Sequence, residues 1–352
     1  MKKYESITIF LNRACPRGCP QCGISDASRN PLNVGQWIDI FKILAKEFET
    51  KFYLFLGTET LIFRQELVEM VQWFTDNNLF YGFYSTSPEP MFTKYRQQLV
   101  DAGLQNWSSG IDSLPKMSLD LLSGKKESIT DKKVRESIGG LIWMAERGVQ
   151  AHTLTTIHKK NLHQVVDILE WCQENIVNVQ SSCNFIEWKR GPEFDFFSKR
   201  ENMEDLCWDG SPEEEREVRK VMRQIKLFSR VHGKIIQTPD SYLDNAHKHY
   251  TTLAQHCGGS IGPAVDCDGT LRLCGYSTGY LAGNWNVLDL PGRMDEFMKD
   301  WNDDLNACTG CHWIFPDMLR EDNARILDPK SGFHQERWNI SMDQYKMQKE
   351  TV

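Results

Sequence analysis

Three cysteines lie close together near the start of the chain, at Cys15, Cys19 and Cys22. Three thiolates are three of the four ligands that a [4Fe–4S] cluster takes from a protein. The next cysteine is Cys172, far along the sequence. We therefore expect one iron of such a cluster to lack a protein ligand, which leaves a position where another molecule can bind and react.

Two other uses of these thiols fit the sequence less well. A zinc site takes four nitrogen or sulfur ligands, commonly from Cys-x2-Cys pairs, whereas this region has one such pair and no histidine before His152. A disulfide framework belongs to an oxidising compartment and uses an even number of cysteines, but the chain has 11. The first residues share only their two lysines with a signal peptide. We therefore expect metal or redox chemistry in a reducing cytoplasm.

The Cys-x3-Cys-x2-Cys spacing of Cys15, Cys19 and Cys22 resembles the motif of the radical S-adenosylmethionine (radical SAM) superfamily. The resemblance implies that the open iron holds the amino and carboxylate groups of SAM. It also implies that one electron from the cluster splits SAM into methionine and a 5′-deoxyadenosyl radical, which abstracts a hydrogen atom from the substrate. A protein reductant such as flavodoxin or ferredoxin would supply the electron.

Length and composition limit the class of protein. The chain has 352 residues, of which 25% are charged, and a mean hydropathy of −0.49, as in globular proteins. No stretch approaches the roughly 18 apolar residues that suggest a membrane span. The net charge of −7 argues against an extensive nucleic-acid interface, because such an interface needs a basic surface.

Short apolar segments alternate with longer amphipathic ones over the first half of the chain, as in βα units. Gly103 and Gly148 stand where a helix is expected to end and the next strand to begin. Six such units predict an α/β fold, a partial (β/α)6 TIM-like barrel with its site at the C-terminal ends of the strands, and the radical SAM resemblance implies the same fold. Strands are predicted at 7–11, 52–56, 80–84, 107–111, 150–155 and 177–180, and helices at 35–47, 64–77, 92–102, 130–147 and 161–174.

Polar residues after successive predicted strands are the candidates for binding SAM. After the second strand, Gly57-Thr58-Glu59 resembles the superfamily's Gly-Gly-Glu motif for the methionine amino group, with threonine in place of the second glycine. After the fourth strand, Asp112 stands in a stretch that resembles the Ser-Ile-Asp-Gly element, which hydrogen-bonds the ribose. The remaining candidates at strand ends are Ser85, Thr86, Ser109, Thr155 and Asn161.

A second set of cysteines lies in the last third of the chain, where Asp268-Gly269 between two apolar segments predicts a β-hairpin. The spacing from Cys257 through Gly269 to Cys274 resembles the start of the SPASM and twitch domains appended to many radical SAM enzymes. The shorter twitch form implies one auxiliary [4Fe–4S] cluster. A zinc ribbon from the same thiols remains open, as does ligation by Cys267, which we expect to be a buried structural thiol. The expected ligands are Cys257, Cys274, Cys308 and Cys311.

The chain divides into four predicted segments. Residues 1–184 form the barrel, and 185–252 form a helical linker region whose charged pattern at 213–232 predicts a solvated connecting helix. Residues 253–315 form the small cysteine-rich twitch domain with its hairpin, and 316–352 form a C-terminal tail.

The auxiliary cluster bears on the outcome of the reaction. With four thiolate ligands it has no open iron, which favours electron transfer and therefore a net oxidation or bond formation. A redox-neutral isomerase or epimerase is the alternative, and it would need a thiol to return a hydrogen atom. Cys183, expected just past the sixth strand at the barrel mouth, is the candidate, although a buried structural thiol is the other interpretation of this residue. A non-catalytic iron–sulfur or zinc-binding module is a third hypothesis.

The substrate is left open as a small molecule, a nucleoside or a peptide. Radical SAM enzymes that act on peptides often carry a small leader-binding domain. The sequence has no room for one before Cys15, and the polar segment 185–252 does not suggest one. This pattern favours small molecules or nucleosides.

Overall fold

The computed structural model describes residues 6–12, 14–15, 31–50, 52–55, 59–114, 127–185, 206, 211–232, 236–238, 240–245, 263–273 and 284–307. Several predicted site residues, and the tail 316–352, lie outside these ranges. These residues are Cys19, Cys22, Gly57, Thr58, Cys257, Cys274, Cys308 and Cys311.

Six parallel strands lie side by side in the order of the chain. Each is hydrogen-bonded to the next one in parallel register, which is the arrangement that consecutive βα units produce. The predicted α/β partial barrel is therefore confirmed, and its sheet is open within the described ranges. The strands are β1 (Ser6–Ile9), β2 (Phe52–Phe55), β3 (Phe80–Tyr84), β4 (Asn106–Gly110), β5 (Gln150–Ile157) and β6 (Gln180–Phe185).

Helices connect these strands and pack against the sheet. Within the described ranges, no helix combines the length and the apolar character that crossing a membrane needs. The helices are α1 (Val34–Glu47), α2 (Gln65–Asp76), α3 (Met91–Asp101), α4 (Glu127–Ala145), α5 (Val165–Asn175), α6 (Pro212–Val231), α7 (Asp240–Asn245) and α8 (Met294–Ala307), with short 3-10 turns at Thr60–Phe63, Leu162–Gln164 and Val287–Asp289.

Helix α1 shows how the local sequence produces these elements. Its first turn is closed by a capping box, in which Asn33 Oδ1 accepts from Gln36 N at 3.0 Å and Gln36 Oε1 accepts from Asn33 N at 3.1 Å. Its apolar side chains recur at helical spacing, with Trp37, Ile40 and Phe41 buried. The Phe41 ring contacts aromatic rings of β2 and α2, so the helix is fixed against the sheet by its apolar face.

Two glycines end helices where the sequence predicts it. Gly103 follows α3 with φ +90°, and Gly148 follows α4 with φ +79°. This left-handed conformation suits glycine because it has no Cβ. Both predicted helix ends are confirmed.

The sixth strand begins later than the sequence predicts. Residues 177–180 were expected to be extended, but α5 ends at Asn175 and a turn follows, in which Asn178 adopts φ +53°. The side chain of Val177 is exposed. Val177 is β-branched, as residues in strands commonly are, but it lies in this turn. The predicted strand at 177–180 is therefore wrong, because the chain first has to reverse direction after α5.

Helix α6 is more than a solvated connection. Its Pro follows the N-cap Ser211, whose side chain accepts from Glu214 N at 3.3 Å. Its buried apolar face joins β5, β6 and α5 in a second hydrophobic cluster that includes Val218, Ile225 and Ile157. The expectation of a solvated helix is therefore corrected, because α6 covers the last two strands of the barrel.

The predicted hairpin is present and extends the barrel sheet. Strands β7 (Ala264–Val265) and β8 (Leu271–Arg272) pair antiparallel around Gly269, which adopts φ +82°. Strand β7 also pairs in parallel with β1, so the sheet has eight strands. Helix α8 packs in the same hydrophobic core as the barrel, through Phe297 and Trp301.

Candidate active site

The end of β1 leads directly to the first cysteine and is tied to the end of β2. Asn12 Oδ1 accepts from Ala14 N at 3.0 Å, and its Nδ2 donates to Glu59 O at 3.3 Å. Glu59 N donates to Ala14 O at 3.4 Å. The half-buried Cys15 is therefore held next to Glu59 at the C-terminal edge of the sheet.

The Glu59 carboxylate is fully buried and accepts four hydrogen bonds. Oε1 accepts from Leu61 N at 3.1 Å and from Ser85 Oγ at 2.5 Å. Oε2 accepts from Thr86 N and Thr86 Oγ1, both at 2.8 Å. Burial raises the pKa of Glu59 above its ordinary value, and the hydrogen bonds oppose that shift. Among the described residues no lysine or arginine contacts this carboxylate, and its partners are the main-chain and hydroxyl donors named above.

The sequence does not reveal which group the Ser85 and Thr86 hydroxyls contact. They were expected to be possible cofactor contacts, and the structure directs both hydroxyls to Glu59. The two residues follow β3, the neighbour of β2 in the sheet. The ends of β1, β2 and β3 thus converge on one carboxylate.

Asp112 and Asn161 link the ends of β4 and β5. Asp112 Oδ1 accepts from Thr156 N at 2.8 Å, and its main-chain oxygen accepts from Asn161 Nδ2 at 2.9 Å. Asn161 Nδ2 also donates to Thr156 O at 2.9 Å, while its Oδ1 accepts from His158 N at 2.8 Å. The structure therefore brings these two predicted residues together as one rigid group at the strand ends.

Ser109 and Thr155 are placed differently. Side chains alternate along a strand, and these two share a face with Trp107 and Ile157, which pack in the hydrophobic core clusters. Thr155 Oγ1 donates to Ile111 O at 2.9 Å, which fixes the chain just before Asp112. Both hydroxyls thus lie on the face turned away from the barrel interior.

Cys183 lies within β6 rather than past its end, and the expectation that it faces the barrel mouth is wrong. Its side chain is buried in the second hydrophobic cluster, together with Val165 and Leu169 of α5. Its N–H donates to Thr238 Oγ1 at 2.7 Å. Burial raises the pKa of this thiol to about 12. The later start of β6 is the reason, because it moves residue 183 into the strand and onto its helix-facing side.

His158 is a strand-end residue that sequence reasoning missed. It follows β5, is fully buried, and within the described ranges neither ring nitrogen has a hydrogen-bond partner. Burial lowers its pKa to about 4, although the charge of Asp112 opposes this shift, so the ring is neutral at pH 7. Its position between two predicted residues, Thr155 and Asn161, was the available signal.

The opposite face of β4, β5 and β6 gives the barrel interior a polar wall. His152 Nε2 and Ser182 Oγ lie 2.9 Å apart, and Ser108 Oγ donates to Asn106 Oδ1 at 3.0 Å. These side chains alternate with the helix-facing ones of the same strands. Sequence alternation identifies the two faces but not which one is interior, and for this reason the pairs were missed.

Comparison with known proteins gives sequence similarity over part of the chain. No family model matches the sequence. The PqqA peptide cyclase of Bradyrhizobium diazoefficiens is 23% identical over 169 residues, which are 47% of this chain and 42% of that protein. The chain therefore spans less than half the length of the curated relative it matches.

Comparison of the structure finds similar folds over most of the chain. SuiB of Streptococcus suis, in its complex with S-adenosylmethionine, has a TM-score of 0.59 at 12% identity, covering 83% of this chain and 66% of SuiB. Native anSMEcpe with bound AdoMet has a TM-score of 0.53 at 14% identity, covering 84% of this chain and 80% of anSMEcpe. The chain therefore has a fold similar to those of SuiB and anSMEcpe, both solved with S-adenosylmethionine bound, as its resemblance to the radical SAM superfamily implies.

Proposed function

We propose that the protein is a radical SAM enzyme that removes a hydrogen atom from a peptide substrate, with a net oxidation or bond formation as the outcome. The observation that carries the proposal is the junction between the ends of β1 and β2. Two hydrogen bonds there tie Asn12 and Ala14, just before Cys15, to Glu59. A metal held by the Cys15 loop and a cation held by Glu59 would be neighbours, so one amino-acid ligand could reach both.

The residues present fit a SAM-binding cluster. Cys15, Cys19 and Cys22 would hold it, and the bound cluster supplies the electron that splits SAM into methionine and a 5′-deoxyadenosyl radical. Glu59 fits the methionine ammonium because it is a buried carboxylate with hydrogen-bond donors around it and, among the described residues, no basic side chain in contact with it. Gly57 and Thr58, which directly precede Glu59 in the sequence, would complete the contact.

The ends of β4 and β5 would hold the nucleoside part of SAM. Asp112 is the acceptor for ribose hydroxyls, and Asn161 and Thr156 fix its position through the hydrogen bonds described above. Thr155 acts indirectly, because its hydroxyl donates to the Ile111 carbonyl and so fixes the main chain just before Asp112. The rigid group lets the site bind the ribose without reorganising.

An auxiliary cluster is the second part of the proposal. The described residues next to two of its expected ligands belong to one packed unit. Trp301 Nε1 of α8 donates to Leu273 O at 3.2 Å. In the sequence Leu273 directly precedes Cys274, and α8 ends directly before Cys308. This packing supports a site built by Cys257, Cys274, Cys308 and Cys311, with a zinc ribbon as the competing occupant.

Net oxidation or bond formation is favoured over isomerisation. An isomerase or epimerase would need a hydrogen donor in contact with the substrate. Cys183 is the thiol considered for that role, and it faces α5 and α6 in an apolar cluster. An electron conduit from the auxiliary cluster therefore fits the chain better than a thiol that returns hydrogen.

A peptide substrate is favoured by what the similar proteins act on or bind. The curated relative is a cyclase of the PqqA peptide, SuiB has been solved with its precursor peptide SuiA, and anSMEcpe with the Cp18Cys peptide. The polar interior wall agrees with this choice, because His152, Ser182 and Asn106 can hydrogen-bond peptide amides. These observations outweigh the preference for small molecules or nucleosides that the sequence suggested.

Anaerobic reconstitution tests the class of enzyme. The full chain should bind about eight irons, as two cubane clusters require, and should release 5′-deoxyadenosine from SAM in the presence of dithionite. Four irons with one zinc would refute the auxiliary iron–sulfur cluster and leave the first cluster intact. Failure to release 5′-deoxyadenosine with dithionite or with reduced flavodoxin, in protein with a full iron content, would refute catalysis.

A second experiment tests the substrate class. A pool of synthetic peptides and, separately, a pool of nucleosides, sugars and free amino acids are added to the reconstituted protein. We expect only the peptides to raise 5′-deoxyadenosine above the uncoupled background and to change in mass by the loss of two hydrogens. Stimulation by the second pool alone would contradict the peptide proposal. The enzyme is expected to work in the reducing cytoplasm, where thiolate-bound clusters persist.

A further inference from the structure

The segment 85–87 after β3 positions the Glu59 carboxylate. Ser85 Oγ donates to Glu59 Oε1 and accepts from Ser87 N at 2.9 Å. Thr86 supplies both donors to Glu59 Oε2. Ser87 is buried and adopts φ +50°, which is uncommon for a residue with a side chain. The orientation of these donors therefore depends on what fixes Ser87.

Ser87 is fixed from the outside of the barrel by β4 and α4. Trp107 Nε1 donates to Ser87 Oγ at 3.1 Å, and Ser137 Oγ of α4 donates to Thr86 O at 3.4 Å. Gly140 of α4 provides the space for this contact. A Cβ at residue 140 would lie 2.0 Å from Ser87 Oγ and 2.4 Å from Ser87 Cβ, distances that packed atoms never show.

We propose that Gly140 is a positioning residue for Glu59, because the missing side chain at this helix position lets Ser87 dock on α4 and thereby directs Ser85 and Thr86 at the carboxylate. The inference rests on the proposed role of Glu59 as the site for the SAM ammonium. No atom of Glu59 is among the nearest neighbours of a Cβ built at residue 140, so Gly140 acts through the three residues that follow β3.

The physical consequence of displacing Ser87 is specific. If Ser85 and Thr86 move away, fewer hydrogen-bond donors stabilise the ionised form of the buried Glu59 carboxylate. Such a carboxylate holds a proton more tightly, so a smaller fraction is ionised at a given pH. An ammonium ligand then binds more weakly, and the acid side of its binding profile moves to higher pH.

The neighbouring glycine supplies a matched control. Gly139 lies one position earlier in α4, is exposed, and a Cβ built there meets no atom within 4 Å. Gly139→Ala and Gly140→Ala therefore make the same chemical change in the same helix. They differ in whether the added methyl group reaches Ser87.

The measurement is the dissociation constant of SAM, by equilibrium dialysis against anaerobically reconstituted full-length protein over a range of pH, together with thermal unfolding. We expect Gly140→Ala to weaken SAM binding about tenfold or more and to move the acid limb of the profile upward, as misplaced binding groups do. Gly139→Ala should keep both the affinity and the profile of the wild type.

A compensating variant separates positioning from simple damage. Ser87→Gly removes the two atoms that a methyl group at residue 140 would strike, and glycine accepts a positive φ. We expect Gly140→Ala to cost little further affinity in the Ser87→Gly background, so the two changes are coupled in a double-mutant cycle. If Gly140→Ala alone does not fold, Ser87→Gly alone carries the test and should itself raise the pH of the acid limb.

Three results would overturn the inference. One is a Gly140→Ala protein that is less stable but has the wild-type SAM affinity and pH profile, which is the signature of a purely structural glycine. The second is additivity of Gly140→Ala and Ser87→Gly. The third is an unchanged acid limb in Ser87→Gly. Failure of the proposed function looks different, because wild-type protein with a full iron content would then not bind SAM.

Discussion

Ser85 Oγ donates a hydrogen bond to Glu59 Oε1 at 2.5 Å, across the ends of two neighbouring strands. Glu59 follows β2 and Ser85 follows β3, and the two residues are 26 positions apart in the sequence. Parallel strands end at the same edge of a sheet, so such residues become neighbours without any local sequence pattern. The contact joins the second and third strand ends into one site around the Glu59 carboxyl group, beside the first cysteine.

Glu59→Gln should weaken SAM binding more than any other single change among the described residues apart from the cluster ligand Cys15. The amide cannot balance an ammonium, and its NH2 group would face the donors of Thr86. We expect a loss of about 2 kcal/mol or more, roughly thirtyfold in the dissociation constant, measured by equilibrium dialysis. Glu69→Gln on the exposed side of α2 is the control and should bind SAM normally. Equal affinities for Glu59→Gln and the wild type would remove Glu59 from the site.

His158 should make the protein less stable in acid. Its folded pKa of about 4 lies below the ordinary value of 6.5, so the unfolded chain binds more protons between these values. Its contribution is therefore complete above pH 6.5 and is lost as the pH falls toward 4, by up to about 3 kcal/mol. His158→Gln should flatten the free energy of unfolding over this window, as followed by urea titration.

The exposed His163 in the next turn provides the comparison for that experiment. His163→Gln should retain the wild-type dependence of stability on pH. An identical acid dependence in His158→Gln and in the wild type would mean that His158 is not the buried neutral group described here.

Arg272 and Asp266 form a buried ion pair in the hairpin, and Arg272→Met should break it. Arg272 Nε donates to Asp266 Oδ2 at 2.9 Å, and Cys267 N donates to Asp266 Oδ1 at 2.8 Å. Removing the cation takes the Arg272 charge away from a buried carboxylate, and breaking a buried ion pair in this way costs about 3–5 kcal/mol. Urea unfolding should show this loss, and the double variant with Asp266→Leu should recover much of it. A loss as small as that of the exposed Arg293→Met would contradict the buried pairing.

Cys183→Ala should leave the reaction intact. The thiol packs against α5 and α6, so its removal should lower stability by about 1 kcal/mol and leave the yield of 5′-deoxyadenosine and the product mass unchanged. Cys172→Ala removes a different buried thiol, which lies on α5, and it should have the same effects. Loss of product formation in Cys183→Ala alone would revive the isomerase hypothesis.

The sequence predicts those parts of the fold that depend on local patterns. The spacing of apolar residues in α1, the glycines after α3 and α4, and the Asp268-Gly269 turn each determine an element within a few residues, and each prediction is confirmed. The start of β6 was misplaced because Val177 in a turn resembles the first residue of a strand.

The candidate site is less predictable because it depends on contacts between distant segments. Family motifs identify Glu59 and Asp112, but nothing near Ser85 or Gly140 in the sequence indicates that they meet Glu59 and Ser87. Which face of the sheet a strand side chain occupies also depends on contacts between segments that are distant in the sequence. Cys183 faces α6, and whether it faces a helix or the interior depends on the register of β6 with β5.

Electron paramagnetic resonance of the reduced full-length protein, recorded with and without SAM, tests most directly whether the cluster at Cys15, Cys19 and Cys22 has an open iron. Addition of SAM should change the spectrum of one cluster, and the same change should be absent in Cys19→Ala. An unchanged spectrum at saturating SAM, in protein with a full complement of iron and sulfide, would contradict the proposed chemistry.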